Sequence, residues 1–241
     1  MVYGKKFLIW DLDDTLYLRT PEWADMLDTV MAEALVWDLK VPMSVEEAKQ
    51  KVTESYTVYR NGGEIFYRDY GVNPADLFYA YNKLSNTTYT NNEQWQKIAD
   101  DFQFAYDNLL EKIEKVPAEQ YIFTASDRYA SEKILKHIGL YDFFKDRFYS
   151  VEDFGVYKKN ESAEVYVQFC KKIGADPRDC VFVDDSYSNL EFAKEVGMTT
   201  VRIYYKNNSA KDKTYIDFAF KGAEAFLDEI ISSDVRKVAA Q

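Results

Sequence analysis

The sequence predicts an α/β fold, a parallel sheet with helices on both faces, interrupted by an inserted α-helical subdomain. Three observations carry that expectation. Short apolar runs end abruptly in polar residues, and from residue 121 onward they alternate with stretches of helical period. Between the first run and the second lie roughly a hundred residues with no comparable run, far more than a strand-to-helix connection needs.

The first run, Phe7 to Trp10, stops at Asp11. Tyr121 to Phe123 stops at Thr124, Phe148 to Tyr149 at Ser150, and Val181 to Val183 at Asp184. Such short uniformly apolar segments read as strands buried on both faces. Thr200 to Tyr205 is β-branched and aromatic, and reads as a fifth strand. The intervening segments Arg128 to Ile138, Ser162 to Ile173 and Ser188 to Val196 have helical period. Each precedes a glycine, Gly139, Gly174 or Gly197, where a left-handed C-cap is expected. In the insertion, Trp23, Met26, Leu27, Val30, Met31, Ala34 and Leu35 follow the spacing of an amphipathic helix. Breaks fall at Val41-Pro42, Asn61-Gly62-Gly63 and Asn73-Pro74. The expected division is therefore a core of residues 1–16 plus 117–241 and a helical cap of residues 17–116, with hinges near Leu16 to Thr20 and Lys115 to Pro117. The tail from Lys206 reads as polar, then helical from about Phe220 to Ile231. Within the insertion, Trp23, Trp37, Tyr56, Tyr59, Phe66, Tyr67 and Trp95 are expected mostly in its core.

Composition narrows the function. Thirty basic against 41 acidic residues give a formal charge of −11, which would repel a nucleic acid polymer. No uncharged apolar run reaches the length of a membrane span, and the apolar stretch near the N-terminus is too short for a signal peptide. Cys170 and Cys180 form neither a disulfide framework nor a zinc site and read as reduced core thiols. The expectation is a soluble cytoplasmic protein; its oligomeric state is not written in the sequence. The single histidine, His137, lies among apolar residues and reads as a partly buried helix residue.

Open parallel sheets bind ligands at the carboxyl ends of their strands. Here those ends carry Asp11, Thr124 and Asp184, with Asp13, Asp14 and Asp185 beside them. So many carboxylates in one volume repel one another unless a cation is bound or some are protonated. Oxygen donors without a histidine partner favour Mg2+ over zinc or copper, and a carboxylate-held Mg2+ is suited to clamping phosphate. In Asp11-Leu12-Asp13 one carboxylate can attack phosphorus while the other exchanges a proton with the leaving alkoxide and then with water. Asp14 reads as a turn former or helix cap. Thr124 offers a hydroxyl and a backbone N–H to the transferring group, and Lys158 or Lys159 can neutralise charge on its oxygens.

Taken together, Asp11-Leu12-Asp13-Asp14-Thr15-Leu16-Tyr17, Phe123-Thr124, Lys158 and Val183-Asp184-Asp185-Ser186-Tyr187-Ser188-Asn189 resemble the four ordered motifs of the haloacid dehalogenase superfamily. With Phe123-Thr124-Ala125-Ser126-Asp127-Arg128 and Gly139-Leu140, they are most similar to its pyrimidine 5′-nucleotidase group. The resemblance implies a Rossmann-like core with a mobile helical cap and an aspartyl-phosphate mechanism. Asp11 would be nucleophile and metal ligand. Asp13 would be the acid/base and would bind Mg2+ through its carbonyl. Thr124, Ala125 and Lys158 would hold phosphate, and Asp184 would bind the metal. Thr15, Asp185 and Asn189 would support them. Lys158 is preferred because Gly155-Val156-Tyr157-Lys158 aligns with the usual approach to the motif lysine, although the proline that commonly follows it is replaced by Lys159. Ala125 stands where the nucleotidase group often has asparagine. The resemblance implies a small phosphorylated metabolite as partner, with a nucleoside 5′-monophosphate as the leading expectation. A sugar-phosphate phosphomutase or another small-metabolite phosphatase is the rival enzyme, and a non-catalytic ligand-binding module is the rival outside enzymology. The dehalogenases of the superfamily lack the second aspartate, because a halide leaves without a proton.

Overall fold

The computed structural model describes residues 2–59, 61–89, 93, 108–205 and 213–239. Six strands form one sheet: β1 (Phe7–Trp10), β2 (Glu119–Thr124), β3 (Phe148–Ser150), β4 (Cys180–Asp184), β5 (Thr199–Tyr204) and β6 (Phe218–Lys221). Their order is β3-β2-β1-β4-β5-β6, and every neighbouring pair is parallel. This is the Rossmann-like α/β arrangement, with helices on both sides of the sheet. Strand order reverses between β1 and β4, and a crevice opens beyond the carboxyl ends of strands at such a reversal. Trp10 aligns with Val183, and the Asp11 N–H continues the ladder to the Val183 carbonyl at 2.8 Å. The register therefore brings Asp11 beside Asp184.

The chain divides into two compact units, Met1–Leu18 with Phe104–Gln241, and Arg19–Gln103. Helices are numbered here along the whole chain. The second unit contains α1 (Pro21–Glu33), which runs on as a π-helical turn at Ala34–Asp38, then α2 (Val45–Tyr59), α3 (Glu64–Asp69) and α4 (Pro74–Leu84). Both α1 and α4 begin with proline after a polar cap: the Thr20 hydroxyl accepts the Trp23 N–H, and the Asn73 side chain accepts those of Ala75 and Asp76. Ala32, Leu35, Val41, Ala48, Val52, Phe66 and Leu77 make the unit's core. Trp23 and Phe66 are buried as expected, but Trp37, Tyr56 and Tyr59 are 51%, 38% and 37% exposed. On α2 it is Ala48, Val52 and Ser55, at helical spacing, that turn inward, which leaves Tyr56 and Tyr59 on its flank. Trp95 lies outside the described residues.

The first unit holds α5 (Leu109–Glu114), α6 (Arg128–His137), α7 (Tyr141–Phe144), α8 (Glu164–Ile173), α9 (Tyr187–Glu195) and α10 (Gly222–Ala239). The boundary on the return from the insertion differs from the expected residue 116, because α5 packs with the sheet unit. The Gln120 amide donates to the Ile113 carbonyl at 2.7 Å, and Lys112 bridges Glu224 and Asp228 on α10 at 2.6 and 2.8 Å. Asp127 caps α6 by accepting the Tyr129 and Ala130 N–H groups. Gly139, Gly174 and Gly197 have φ of 72, 72 and 94°, the left-handed backbone that their places after the helices required. His137 is exposed in the last turn of α6, where the inward face is taken by Ser131, Ile134 and Leu135. β6 was not foreseen: the expected onset of the tail helix at about Phe220 falls inside this strand, and α10 begins at Gly222. Four residues at a sheet edge, none of them buried, leave no periodicity to read. Cys170 and Cys180 are free and buried, with sulfurs 3.7 Å apart. Among the described residues no helix is long and apolar enough to cross a membrane.

Candidate active site

Asp11 follows β1, and Thr124 and Asp184 end β2 and β4, so three neighbouring strands deliver them to one end of the sheet. Beneath them lies an aromatic floor. Phe123 stacks on Phe169 at 4.8 Å, and Tyr166 meets Phe182 edge-on at 5.3 Å. This floor removes water from the polar groups above it and strengthens the charge interactions there.

The centre of the site is a buried ammonium between two carboxylates. Lys159 Nζ lies 2.5 Å from Asp11 Oδ1 and 2.7 Å from Asp184 Oδ2, and 3.3 Å from the Phe123 carbonyl. The side chains of Lys159 and Asp184 are 2% and 0% exposed. The preference for Lys158 is thereby corrected. Lys158 is the extended residue at φ −155° that precedes the 3-10 turn Lys159–Glu161, and the side chain that enters the site belongs to the first residue of that turn. Burial opposes the Lys159 charge, but Asp11 and Asp184 outweigh it and hold the ammonium above the ordinary lysine range. Burial, and then the Asp184 charge, push Asp11 up to about 7 despite Lys159. One ammonium cannot neutralise both carboxylates.

Each carboxylate is held by further donors. Thr15 Oγ1 donates to Asp11 Oδ2 at 3.1 Å. The Ser186 N–H reaches Asp184 Oδ1 at 2.7 Å, and the Asn189 amide reaches both Asp184 oxygens at 3.2 and 3.0 Å. Asp185 completes an acidic cluster, since Asp11, Asp184 and Asp185 each offer an oxygen within 4.8 Å of the others. An all-oxygen set of this compactness fits a hard divalent cation such as Mg2+. Asp13 stands apart from the cluster and is half-buried. Its Oδ2 accepts from Ser126 Oγ at 2.6 Å and its Oδ1 from the Tyr17 hydroxyl. Asp14 takes φ 55°, so it serves the turn after Asp13. Thr124 is buried and its Oγ1 accepts the Ser126 N–H at 3.0 Å, while Ala125 is exposed just past β2.

The structure thus brings together Asp11, Asp184, Asp185, Thr15 and Asn189, with Lys159 in the place expected of Lys158. Four residues without an assigned role also converge here. Ser126 and Tyr17 hold Asp13. Tyr205 donates to the Thr15 carbonyl at 2.9 Å, and Arg202, stacked on Tyr187 at 3.8 Å, contacts the Asp185 carbonyl at 3.5 Å. Ser126 could have been found as a hydroxyl two residues beyond Thr124. Tyr205 and Arg202 left no sequence signal, since just past a strand and within one they look like any other aromatic or charged residue.

Asp11, Asp184 and Lys159 thus form a carboxylate–ammonium cluster at the switch point of a parallel α/β sheet, the place where such sheets bind ligands. The family model of the haloacid dehalogenase-like hydrolases matches residues 5–197, and the chain belongs to that family. Solved structures agree on the fold. A haloacid dehalogenase-like protein of unknown function from Agrobacterium tumefaciens is similar at 16% identity and TM-score 0.57, covering 99% of this chain and 100% of that one. The L-2-haloacid dehalogenase of Xanthobacter autotrophicus, with chloropropionic acid covalently bound, is similar at 15% identity and TM-score 0.57, covering 94% and 98%. A family hydrolase from Deinococcus radiodurans with bound phosphate and sodium is similar at 15% identity and TM-score 0.55, covering 94% and 96%.

Proposed function

We propose that this hydrolase is a Mg2+-dependent phosphomonoesterase acting on small phosphorylated metabolites, with nucleoside 5′-monophosphates as the leading class. The observation that carries this reading is a second carboxylate, Asp13, two residues from Asp11 and outside the acidic cluster. A halide leaves without a proton, whereas an alkoxide needs one. The Deinococcus radiodurans relative's bound phosphate supports the same choice.

In the proposed reaction Asp11 attacks phosphorus, the ester P–O bond breaks, and Asp13 gives its proton to the departing alkoxide. Water then attacks the phosphorus of the aspartyl phosphate. Asp13 takes a proton from that water, inorganic phosphate departs, and Asp11 returns as a carboxylate. Lys159 holds Asp11 in line and offsets charge on the phosphoryl oxygens, and Thr124 donates to them. Asp11 and Asp184, with the Asp13 carbonyl and with Asp185 in support, would hold Mg2+, which supplies positive charge to the phosphoryl group. The inserted helical unit is assigned the role of a cap that selects small substrates, and the buried free thiols Cys170 and Cys180 support a reducing, cytoplasmic setting.

The test is a screen of phosphate release with Mg2+ over nucleoside monophosphates, sugar phosphates, phosphoglycolate and pyridoxal phosphate, comparing the wild type with Asp11→Asn. Release by the wild type alone is expected. Equal background release from both proteins overturns the reading, and transfer to a second sugar hydroxyl with little free phosphate would assign a phosphomutase instead.

A further inference from the structure

Asp184 and Asp13 are held by partners of two different chemical kinds. Asp184 is held by an ammonium, a backbone N–H and the NH2 of the Asn189 amide, each of which presents a hydrogen to it. Such partners suit a carboxylate that stays ionised. Both oxygens of Asp13 are instead held by hydroxyls, Ser126 Oγ on one and Tyr17 OH on the other. A hydroxyl donates to a carboxylate, and by rotating about its C–O bond it accepts from a carboxylic acid. The plane of Asp13 can thus stay fixed whether or not the group carries a proton.

The two hydroxyls are themselves anchored. Tyr17 is buried at 1% exposure and follows the left-handed turn at Asp14, where a bridge pairs Asp13 with Tyr17. Ser126 is fixed on both sides of its peptide unit: its N–H donates to Thr124 Oγ1 at 3.0 Å, and its carbonyl accepts from Ser150 Oγ at 2.6 Å. The strand ends of β1, β2 and β3 therefore all contribute to the orientation of one carboxyl group.

We propose that Ser126 and Tyr17 are positioning residues that bracket Asp13, each holding one of its oxygens and so fixing the orientation in which the carboxyl group meets the leaving group. The inference rests on the phosphomonoesterase reading. A group that acts only through Asp13 affects the first half-reaction when the leaving group needs a proton and the later attack of water for every ester, so the contrast between leaving groups is read in kcat/KM, which reports the first half-reaction alone. p-Nitrophenolate leaves without assistance, whereas the alkoxide of glycerol 2-phosphate does not.

The experiment measures kcat and KM for both esters, with Mg2+, on the wild type and on Ser126→Ala, Ser126→Thr and Tyr17→Phe. Ser126→Ala and Tyr17→Phe are expected to lower kcat/KM for glycerol 2-phosphate by ~10-fold or more, with kcat/KM for p-nitrophenyl phosphate changed less than about threefold. Ser126→Thr, which keeps the hydroxyl, is expected to recover most of the loss. An equal fall in kcat/KM on both esters, or no fall in either variant, overturns the bracket while leaving the phosphomonoesterase reading intact. Absence of wild-type turnover on both esters overturns that reading and the bracket with it. Melting curves on each variant separate a fall in folded fraction from a fall in rate, and the ratio of the two esters' kcat/KM values does not depend on the folded fraction.

Discussion

The ammonium of Lys159 meets Oδ1 of Asp11 at 2.5 Å although 148 positions separate them in the chain. The same ammonium reaches Asp184 at 2.7 Å. A single lysine thus joins the turn after β3 to the ends of the two central strands, between the carboxylate proposed as nucleophile and the one proposed as metal ligand.

Lys159→Met leaves Asp11 and Asp184 buried and facing each other. Removing one partner of a buried charge pair costs about 3–5 kcal/mol. The expected result is loss of turnover together with a lowered Tm in metal-free buffer, partly restored by Mg2+. Lys158→Met is expected to retain most activity. Thermal melts with and without Mg2+, alongside phosphate-release assays, check both; inactivity of the Lys158 variant with full activity of the Lys159 variant would reverse the assignment.

Acidity gives a second prediction. An unfolded chain releases the Asp11 proton near pH ~3.9, while the folded, metal-free protein keeps it up to about 7. Between those values the native state binds more protons, so the Asp11 contribution to stability is full below the lower value and is lost as pH rises through the upper one. The metal-free wild type should therefore lose stability relative to Asp11→Asn as pH is raised from 4 to 7.5, and added Mg2+ should reduce the difference. Denaturant titrations at several pH values measure this. A difference that stays flat with pH contradicts it.

Tyr205 ties the end of β5 to the turn that carries Asp11, through its hydroxyl on the Thr15 carbonyl. Tyr205→Phe removes one neutral hydrogen bond and keeps the ring. A stability loss of roughly 1 kcal/mol is expected from denaturant unfolding, and a value indistinguishable from zero would assign the contact no structural role.

Gly63 opens α3 in a conformation that any residue can adopt, but a Cβ there would lie 2.8 Å from Leu77 Cδ2 and closer still to the Tyr67 ring. Leu77 belongs to the helical unit's core. Gly63→Ala is therefore expected to destabilise by about 1–3 kcal/mol through overpacking, seen as a lower Tm. An unchanged Tm would mean that Tyr67 swings aside without cost.

The sequence made the central sheet legible because buried parallel strands are short, apolar and end at polar residues: Phe7–Trp10 and Cys180–Asp184 announce themselves by composition. Asp11, Asp184 and Asp185 were legible because carboxylates at adjoining strand ends need a shared explanation. Lys159 was harder. Two consecutive lysines differ only in which way the backbone turns, and the 3-10 turn that selects the second has no distinctive composition. β6 escaped for the same kind of reason, being four half-exposed residues fused to a helix. The orientation of Asp13 depends on hydroxyls at Ser126 and Tyr17, and a hydroxyl's partner is decided by tertiary placement, which pattern alone does not reveal.

In the proposed reaction Asp11 becomes covalently phosphorylated. Rapid quenching during turnover of a phosphomonoester with Mg2+, followed by borohydride reduction and peptide mass spectrometry, converts an aspartyl phosphate into homoserine at its own position. Homoserine is expected at position 11, absent without substrate and absent from Asp11→Asn. Sustained phosphate release with aspartate intact at position 11, or with homoserine at another position, would contradict it.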